Sequence, residues 1–207
     1  LHVEYTDGTT DVMLTDENWR TALSPTIVSN WWGGEDYNAM QAFDTRDISS
    51  WAHVKIVQPT TNLPIEKGGA NPIGVLKSRD YEPLHVVETW KAVKVNRLGE
   101  GHYVVDFGRN FAGQYTFTLK GERGEYIRLQ PGETLDPDGG CNIQYYYSSN
   151  SLTYDAYTFA GNPEGETWGP TFMYHGFRYL EITGLTHEPK PEDFTALRIR
   201  SDIAQVS

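Results

Sequence analysis

The sequence predicts an all-β fold: an antiparallel β-sandwich with a partial second β module at its N-terminus. Three observations carry that expectation. No stretch spaces apolar residues at three and four positions through three helical turns. Short runs rich in Val, Ile, Thr, Tyr and Phe recur instead, several of them alternating apolar with polar residues. Such alternation buries one face and wets the other, as antiparallel sheets do. Gly- and Pro-rich turns separate the runs, and many short strands divided by turns make a sandwich.

The elements follow in chain order. Leu1–Tyr5 and Asp11–Leu14 flank Asp7-Gly8 and read as a tight hairpin. Val54–Val57 (VKIV) reads as a strand. Gln58 to Gly74 holds three Pro and three Gly without alternation and reads as a linker or a long loop. Strands are then expected at Leu84–Val87, Tyr103–Phe107, Gln114–Leu119 and Glu125–Leu129. Gly121-Glu122-Arg123-Gly124 joins two of them. Asp136-Pro137-Asp138-Gly139-Gly140 is a turn in which Pro pre-sets one φ and Gly supplies a positive one. Leu152–Phe159, Phe177–Ile182 and Phe194–Ile199 complete the set, with a further turn at Gly161–Gly165. Three segments result: residues 1–57, a connection over 58–74, and a sandwich over 75–207. The first is short for a complete module, and the chain opens on Leu1 within a strand-like run, so a piece of a longer protein is expected.

Composition narrows the function. Seventeen Lys and Arg against 28 Asp and Glu give 17 − 28 = −11, a poor charge for gripping phosphate backbones, so no nucleic-acid partner is expected. No apolar run approaches the roughly 18 residues that span a bilayer, so no membrane partner is expected. The single cysteine, Cys141, cannot form an internal disulfide or a multi-cysteine zinc site.

Motifs for catalysis are absent. There is no Gly-x-Ser-x-Gly elbow, H-E-x-x-H, paired C-x-x-C, EF-hand or P-loop. Cys141 stands beside a Gly-rich turn with no His near it in sequence and reads as inert. His175, between aromatics and next to Gly176, suits either a general base or a hydrogen-bonded histidine that fixes a strand bend; no carboxylate or second His at motif spacing favours the former. Glu133 and Asp136 read as solvated or turn-stabilising. The remaining cluster is Asn30-Trp31-Trp32-Gly33-Gly34-Glu35-Asp36-Tyr37-Asn38. Trp31 and Trp32 would point to opposite faces if extended. An exposed ring beside Glu35, Asp36 and Asn38 suits a sugar, with the ring on its C–H face and the polar groups on its hydroxyls. The same oxygens suit Ca²⁺. The cluster equally suits a purely structural role, with one Trp in the core, one over a sandwich edge, and a Gly-Gly loop.

Four ordered motifs carry a family resemblance: Asp106-Phe107-Gly108-Arg109-Asn110-Phe111-Ala112-Gly113, Gly121–Gly124, Gly132-Glu133-Thr134-Leu135-Asp136-Pro137-Asp138-Gly139, and Phe172 through Gly184. From Val75 to Ser207 the chain resembles the concanavalin-like sandwich of bacterial α-L-rhamnosidases of glycoside hydrolase family 78. Tyr5–Gly8, Thr15–Trp19 and Gly34-Glu35-Asp36-Tyr37-Asn38-Ala39 resemble the end of that family's N-terminal jelly-roll domain. There the usual wording is Gly-Glu-x-Tyr-Asp-Ala-Arg, and this chain has Asn38 for the Asp and Met40 for the Arg. In Asp106–Gly113, Gly108 and Gly113 are expected to bracket a bend at which Asn110 tolerates positive φ. Arg178 is expected to point outward and meet an acidic residue.

The resemblance implies jelly-roll and concanavalin-like architecture and an ancillary role. The family hydrolyses terminal α-L-rhamnosyl residues with inversion, through two acidic residues on an (α/α)₆ barrel. No pattern for that barrel is present, so no catalytic residue transfers to any position here, and the expected partner is a catalytic barrel on the same polypeptide. The alternative is a rhamnose-binding module that contacts a rhamnosyl glycan through Trp31, Trp32, Glu35, Asp36 and Asn38, with no cofactor or with Ca²⁺. The expected compartment is the bacterial periplasm or cell surface rather than the cytoplasm.

Overall fold

The computed structural model describes residues 1–30, 33–55, 77, 80–144 and 153–201. In chain order the strands are β1 (His2–Glu4), β2 (Thr10–Val12), β3 (Arg20–Thr21), β4 (Thr26–Asn30), β5 (Gly34–Asn38), β6 (Ala52–His53), β7 (Leu84–Lys91), β8 (Lys94–Gly99), β9 (His102–Leu119), β10 (Tyr126–Gly132), β11 (Asp155–Thr158), β12 (Glu166–Trp168), β13 (His175–Thr183) and β14 (Phe194–Ser201). Among the described residues helix is confined to short 3₁₀ turns such as Ala39–Gln41 and Pro191–Asp193, in line with the missing helical periodicity.

Two compact units share the chain. The first holds residues 1–23 and 43–80. Its β1–β2 hairpin turns at Gly8, whose φ of 83° supplies the positive angle expected of Asp7-Gly8. Its other pair is β3–β6, with Arg20 opposite His53. Of the strand expected at Val54–Val57, Val54 and Lys55 follow the short β6 (Ala52–His53) without belonging to a strand, and Ile56 lies outside the described residues. Val57 and the expected connection over 58–74 lie outside the described residues.

The second unit holds residues 24–42 and 81–207. The segment expected to form one module, 1–57, is therefore divided: the chain leaves the first unit after Leu23, contributes the β4–β5 hairpin to the second, and returns at Phe43. The physical reason is strand pairing. β5 lies parallel to β11, with Tyr37 opposite Tyr157, their rings stacked 5.7 Å apart and 2° from parallel. This pair makes an otherwise antiparallel sheet mixed.

Among the described residues the sheet of the second unit has ten strands in the order β4-β5-β11-β10-β13-β9-β14-β7, with β8 and β12 also on β9, and it curls into a β-sandwich around one core. The 18-residue β9 makes the curl possible. Its first part pairs with β8 and β13, and its last part with β14 and β12. The two strands expected at Tyr103–Phe107 and Gln114–Leu119 are thus one strand. Where a bend was expected, β9 carries a bulge: Phe177 pairs with Phe111, but Tyr179 pairs with Asp106. Gly108 supplies the positive φ there, 83°, while Asn110 stays in the strand. Gly113 serves a different need. A Cβ on it would stand 2.0 Å from the Leu197 carbonyl oxygen, so the close β9–β14 approach requires hydrogen at that position.

Alternation survives the bulge. Tyr103, Val105, Phe107, Phe111, Tyr115, Phe117 and Leu119 all face the core. From β13, Phe177 enters among them fully buried, its ring 5.5 Å from Phe107, 4.4 Å from Phe111 and 5.9 Å from Tyr115.

Candidate functional site

Three buried carboxylates hold the sandwich together. Asp155, at the start of β11, is fully buried. Its Oδ1 accepts the Glu35 backbone N–H at 2.9 Å. Its Oδ2 accepts the Tyr115 hydroxyl at 2.8 Å and faces His175 Nε2 at 2.9 Å. Burial, then the charge and hydrogen bond of Asp155, push the Tyr115 phenol well above its ordinary pKa, so it remains a donor. Glu35, 1% exposed, reaches from β5 in the other direction: its Oε2 accepts the backbone N–H groups of Thr171 and Phe172 at 3.1 and 2.9 Å. Its Oε1 is buried without a partner among the described residues. Burial raises the Glu35 carboxyl, the two N–H groups oppose that, and the Asp155 charge adds to it. Glu166 is the third. It accepts N–H groups from Ala160, Gly161 and Asn162 at 3.0, 2.8 and 2.9 Å and the Tyr157 hydroxyl at 2.8 Å. Burial pushes its pKa up, but these donors outweigh it and hold the group below its ordinary value.

The residues expected to bind sugar separate in the structure. Trp31 and Trp32 lie outside the described residues. Glu35 points into the interior as just described. Asp36 and Asn38 project to the opposite face of β5. Asn38 Oδ1 caps the following 3₁₀ turn by accepting the Met40 N–H at 3.0 Å, while Asp36 Oδ1 is buried without a partner among the described residues and its carboxyl is raised by burial. No three His, Cys, Asp or Glu side chains converge as a cation site among the described residues. His175, for which the sequence offered a general base or a hydrogen-bonded histidine, holds Asp155 Oδ2 through Nε2 at 2.9 Å. Arg178 does meet an acid, Asp106, through two bonds of 2.9 Å.

A groove of about 380 Å³ lies on the solvent face of β10 and β13. Register fixes its floor: Arg128 sits opposite Thr183 and Gln130 opposite Glu181, while Ile127, Leu129, Leu180 and Ile182 on the same strands face the core. Asp136, Cys141, Ile143 and Tyr154 complete it. Glu181 is held by His102 Nε2 on Oε1 at 2.7 Å and by the Cys141 N–H on Oε2 at 2.6 Å. The Arg128 guanidinium lies 4.2 Å from the centre of the Tyr154 ring. Burial, then the Glu181 charge, push the Cys141 thiol up to about 12, which makes it a wall rather than a nucleophile. Sequence reasoning did not single out Asp155, Tyr115, Arg128, Tyr154 or Glu181. One signal was available: Asp155 interrupts the run Leu152–Phe159 of β-forming residues at a core-facing position.

Comparison with known proteins places these features in a family. A model described as the bacterial α-L-rhamnosidase concanavalin-like domain matches residues 96–200, and one described as the α-L-rhamnosidase N-terminal domain matches residues 1–88. An α-L-rhamnosidase of Streptomyces avermitilis is 31% identical over 94% of this chain and 18% of its own length. One of Formosa agariphila is 29% identical over 99% of this chain and 21% of its own. Among solved structures, the α-L-rhamnosidase of Dictyoglumus thermophilum superposes with a TM-score of 0.81 at 29% identity, over 97% of this chain and 22% of that one. The Streptomyces avermitilis enzyme complexed with L-rhamnose gives 0.78 at 28% identity, over 97% of this chain and 19% of that one. The chain thus spans about one fifth of the length of these relatives.

Proposed function

This chain belongs to the bacterial α-L-rhamnosidase family, and from that premise we propose that it is an ancillary β-sandwich region of an α-L-rhamnosidase, supporting a catalytic (α/α)₆ barrel on the same polypeptide. The parent enzyme would release terminal α-L-rhamnosyl residues from glycans or glycosides. One observation carries the reading: the chain is accounted for by the N-terminal and concanavalin-like regions, which together make up about one fifth of each relative. The internal chemistry supports it. Asp155 and Glu166 spend their carboxylate oxygens on backbone N–H groups and buried side chains, as structural anchors do. An inverting glycosidase instead needs two carboxyl groups free to act across one glycosidic bond.

Two measurements test the proposal. The purified chain should not hydrolyse an aryl α-L-rhamnoside, and turnover by it, absent from a mock purification, would overturn the reading. A polypeptide carrying the barrel should lose thermal stability when residues 1–207 are removed; an unchanged barrel would count equally against it. No helix among the described residues is long and apolar enough to cross a membrane. A periplasmic or cell-surface location remains part of the proposal, tested by fractionating cells that express the parent protein.

A further inference from the structure

We propose that the groove over β10 and β13 is a binding site for a neutral 6-deoxyhexose, with Arg128, Tyr154, Asp136 and Glu181 engaging its ring and hydroxyls and Ile143 and Cys141 its methyl group. The assignment of a neutral, polyhydroxylated ligand rests on the geometry. The choice of a 6-deoxy sugar rests on the rhamnosidase reading.

The charge pattern selects the class. Among the described residues the groove is lined by one cation, Arg128, and two carboxylates, Asp136 and Glu181. An anionic ligand would meet two like charges at close range, and a cation would meet the guanidinium. Polar side chains across most of the floor would be left unpaired by a wholly apolar ligand. A sugar hydroxyl both donates and accepts, so a neutral sugar can satisfy a guanidinium, a threonine hydroxyl and two carboxylates at once. The volume of about 380 Å³ falls in the range of small-ligand sites.

The groups are also held in place before any ligand arrives. Glu181 is fixed from two sides by His102 and the Cys141 N–H, and each of its oxygens keeps a lone pair for a further donor. Asp136 accepts from Asn142 Nδ2 at 2.6 Å. Gln130 Nε2 is tied to the carbonyls of Pro131 and Thr153 at 3.0 and 2.7 Å, leaving its oxygen available. Arg128 has no carboxylate partner among the described residues; its guanidinium stands over the Tyr154 ring and is held by hydrogen bonds to the Tyr154 and Tyr126 side chains, which orient it and leave others of its five N–H donors for a ligand. The Tyr154 backbone is itself backed by Gly34, where a Cβ would stand 2.0 Å from the Tyr154 carbonyl oxygen. A site whose side chains are immobilised beforehand loses little entropy on binding.

Nuclear magnetic resonance titration of the 207-residue chain tests this, with L-rhamnose as the probe and L-mannose as the analogue that carries a hydroxyl on the sixth carbon. L-Rhamnose should give saturable shifts centred on β10 and β13, with a Kd on the order of 1 mM for so open a site. Arg128→Ala and Tyr154→Ala should each weaken binding at least about tenfold, the value of one well-formed polar or stacking contact. L-Mannose should bind about fourfold more weakly, the worth of one methyl group against an apolar wall. Dispersed spectra of both variants establish that they fold, and Arg128 is exposed enough for its removal to leave the core intact. Three results would overturn the proposal: no shift at tens of millimolar L-rhamnose, shifts that persist in both variants, or tighter binding of a uronate than of L-rhamnose. None of them touches the ancillary reading, which stands or falls on rhamnoside turnover and barrel stability.

Discussion

Replacing Glu35 by Gln should stabilise the sandwich at neutral pH, although Glu35→Ala should damage it. Glu35 Oε2 takes both backbone donors, Thr171 N–H and Phe172 N–H, while Oε1 is buried and unpartnered. A Gln amide can set its single oxygen where Oε2 now lies, keep both bonds, and put a neutral NH₂ in place of the orphaned oxygen. The gain is that of removing an unsatisfied charged oxygen, about 1 kcal/mol, or roughly 2–4 °C in the melting of the sandwich. Alanine removes both hydrogen bonds and most of a fully enclosed side chain, a loss of about 3 kcal/mol, or roughly 6–12 °C. The pH dependence has a definite sign. Burial raises the folded carboxyl above its ordinary value of 4.5, so between that value and the raised one the folded state holds the extra proton. Unfolding free energy from this group therefore falls as pH rises through that window. Below it, wild type and Glu35→Gln should melt together; above it the variant should melt higher. Melting followed by circular dichroism between about pH 4 and pH 8 reads this directly. A Gln variant as unstable as the Ala variant at neutral pH would refute the reasoning, because it would show that the charge itself is needed.

Three further predictions concern neighbouring features. Gly34→Ala forces a side chain onto a φ of 126° and into the Tyr154 carbonyl at 2.0 Å, so β5 should separate from β11, with a loss of about 3 kcal/mol or more in urea unfolding. Arg178→Ala should lower stability by about 1 kcal/mol, discounted for the partial exposure of the guanidinium. Asp106 is held below its ordinary 3.8 because Arg178 and the Gly108 N–H outweigh its burial, so its contribution is present above that value and is lost as pH falls through the lowered one; the acid limb of the Arg178→Ala melting profile should be flatter. Cys141, with its thiol at about 12, should resist iodoacetamide at pH 8 in the native chain and react on unfolding, which mass spectrometry reads.

Most of the sandwich was legible because its signals are local. The odd-numbered core positions from Tyr103 to Leu119 alternate in sequence as they do in space. The turns at Gly124, Gly139 and Gly161 carry the positive φ that their composition announces. The bulge in β9 was readable only as an irregularity: two glycines mark it, but whether the chain bends or keeps its strand depends on β13, some 70 residues away. The groove was less legible still. Arg128, Gln130, Glu181 and Thr183 are ordinary solvent-face residues on their own strands, and only the β10–β13 register makes them one surface.

The segment Ser24–Ala42 shows where sequence order and physical unit part company. Family boundaries set residues 1–88 apart from 96–200, yet β4 and β5 belong to the sheet of the second region. The link is not pairing alone. Asp155 Oδ1 accepts the Glu35 N–H, and Glu35 in turn accepts from Thr171 and Phe172, so the strand is tied to β11 on one side and to the 171–172 turn on the other. Cutting the chain at the family boundary would leave Asp155, Tyr115 and His175 around an empty place and expose the edge of β11. A chain beginning at Tyr81 should therefore be less soluble and less stable than the full one, and a peptide of residues 24–42 added in trans should restore part of its stability. Equal melting of the truncated and full chains would show the hairpin to be an ornament on a sandwich that is complete without it.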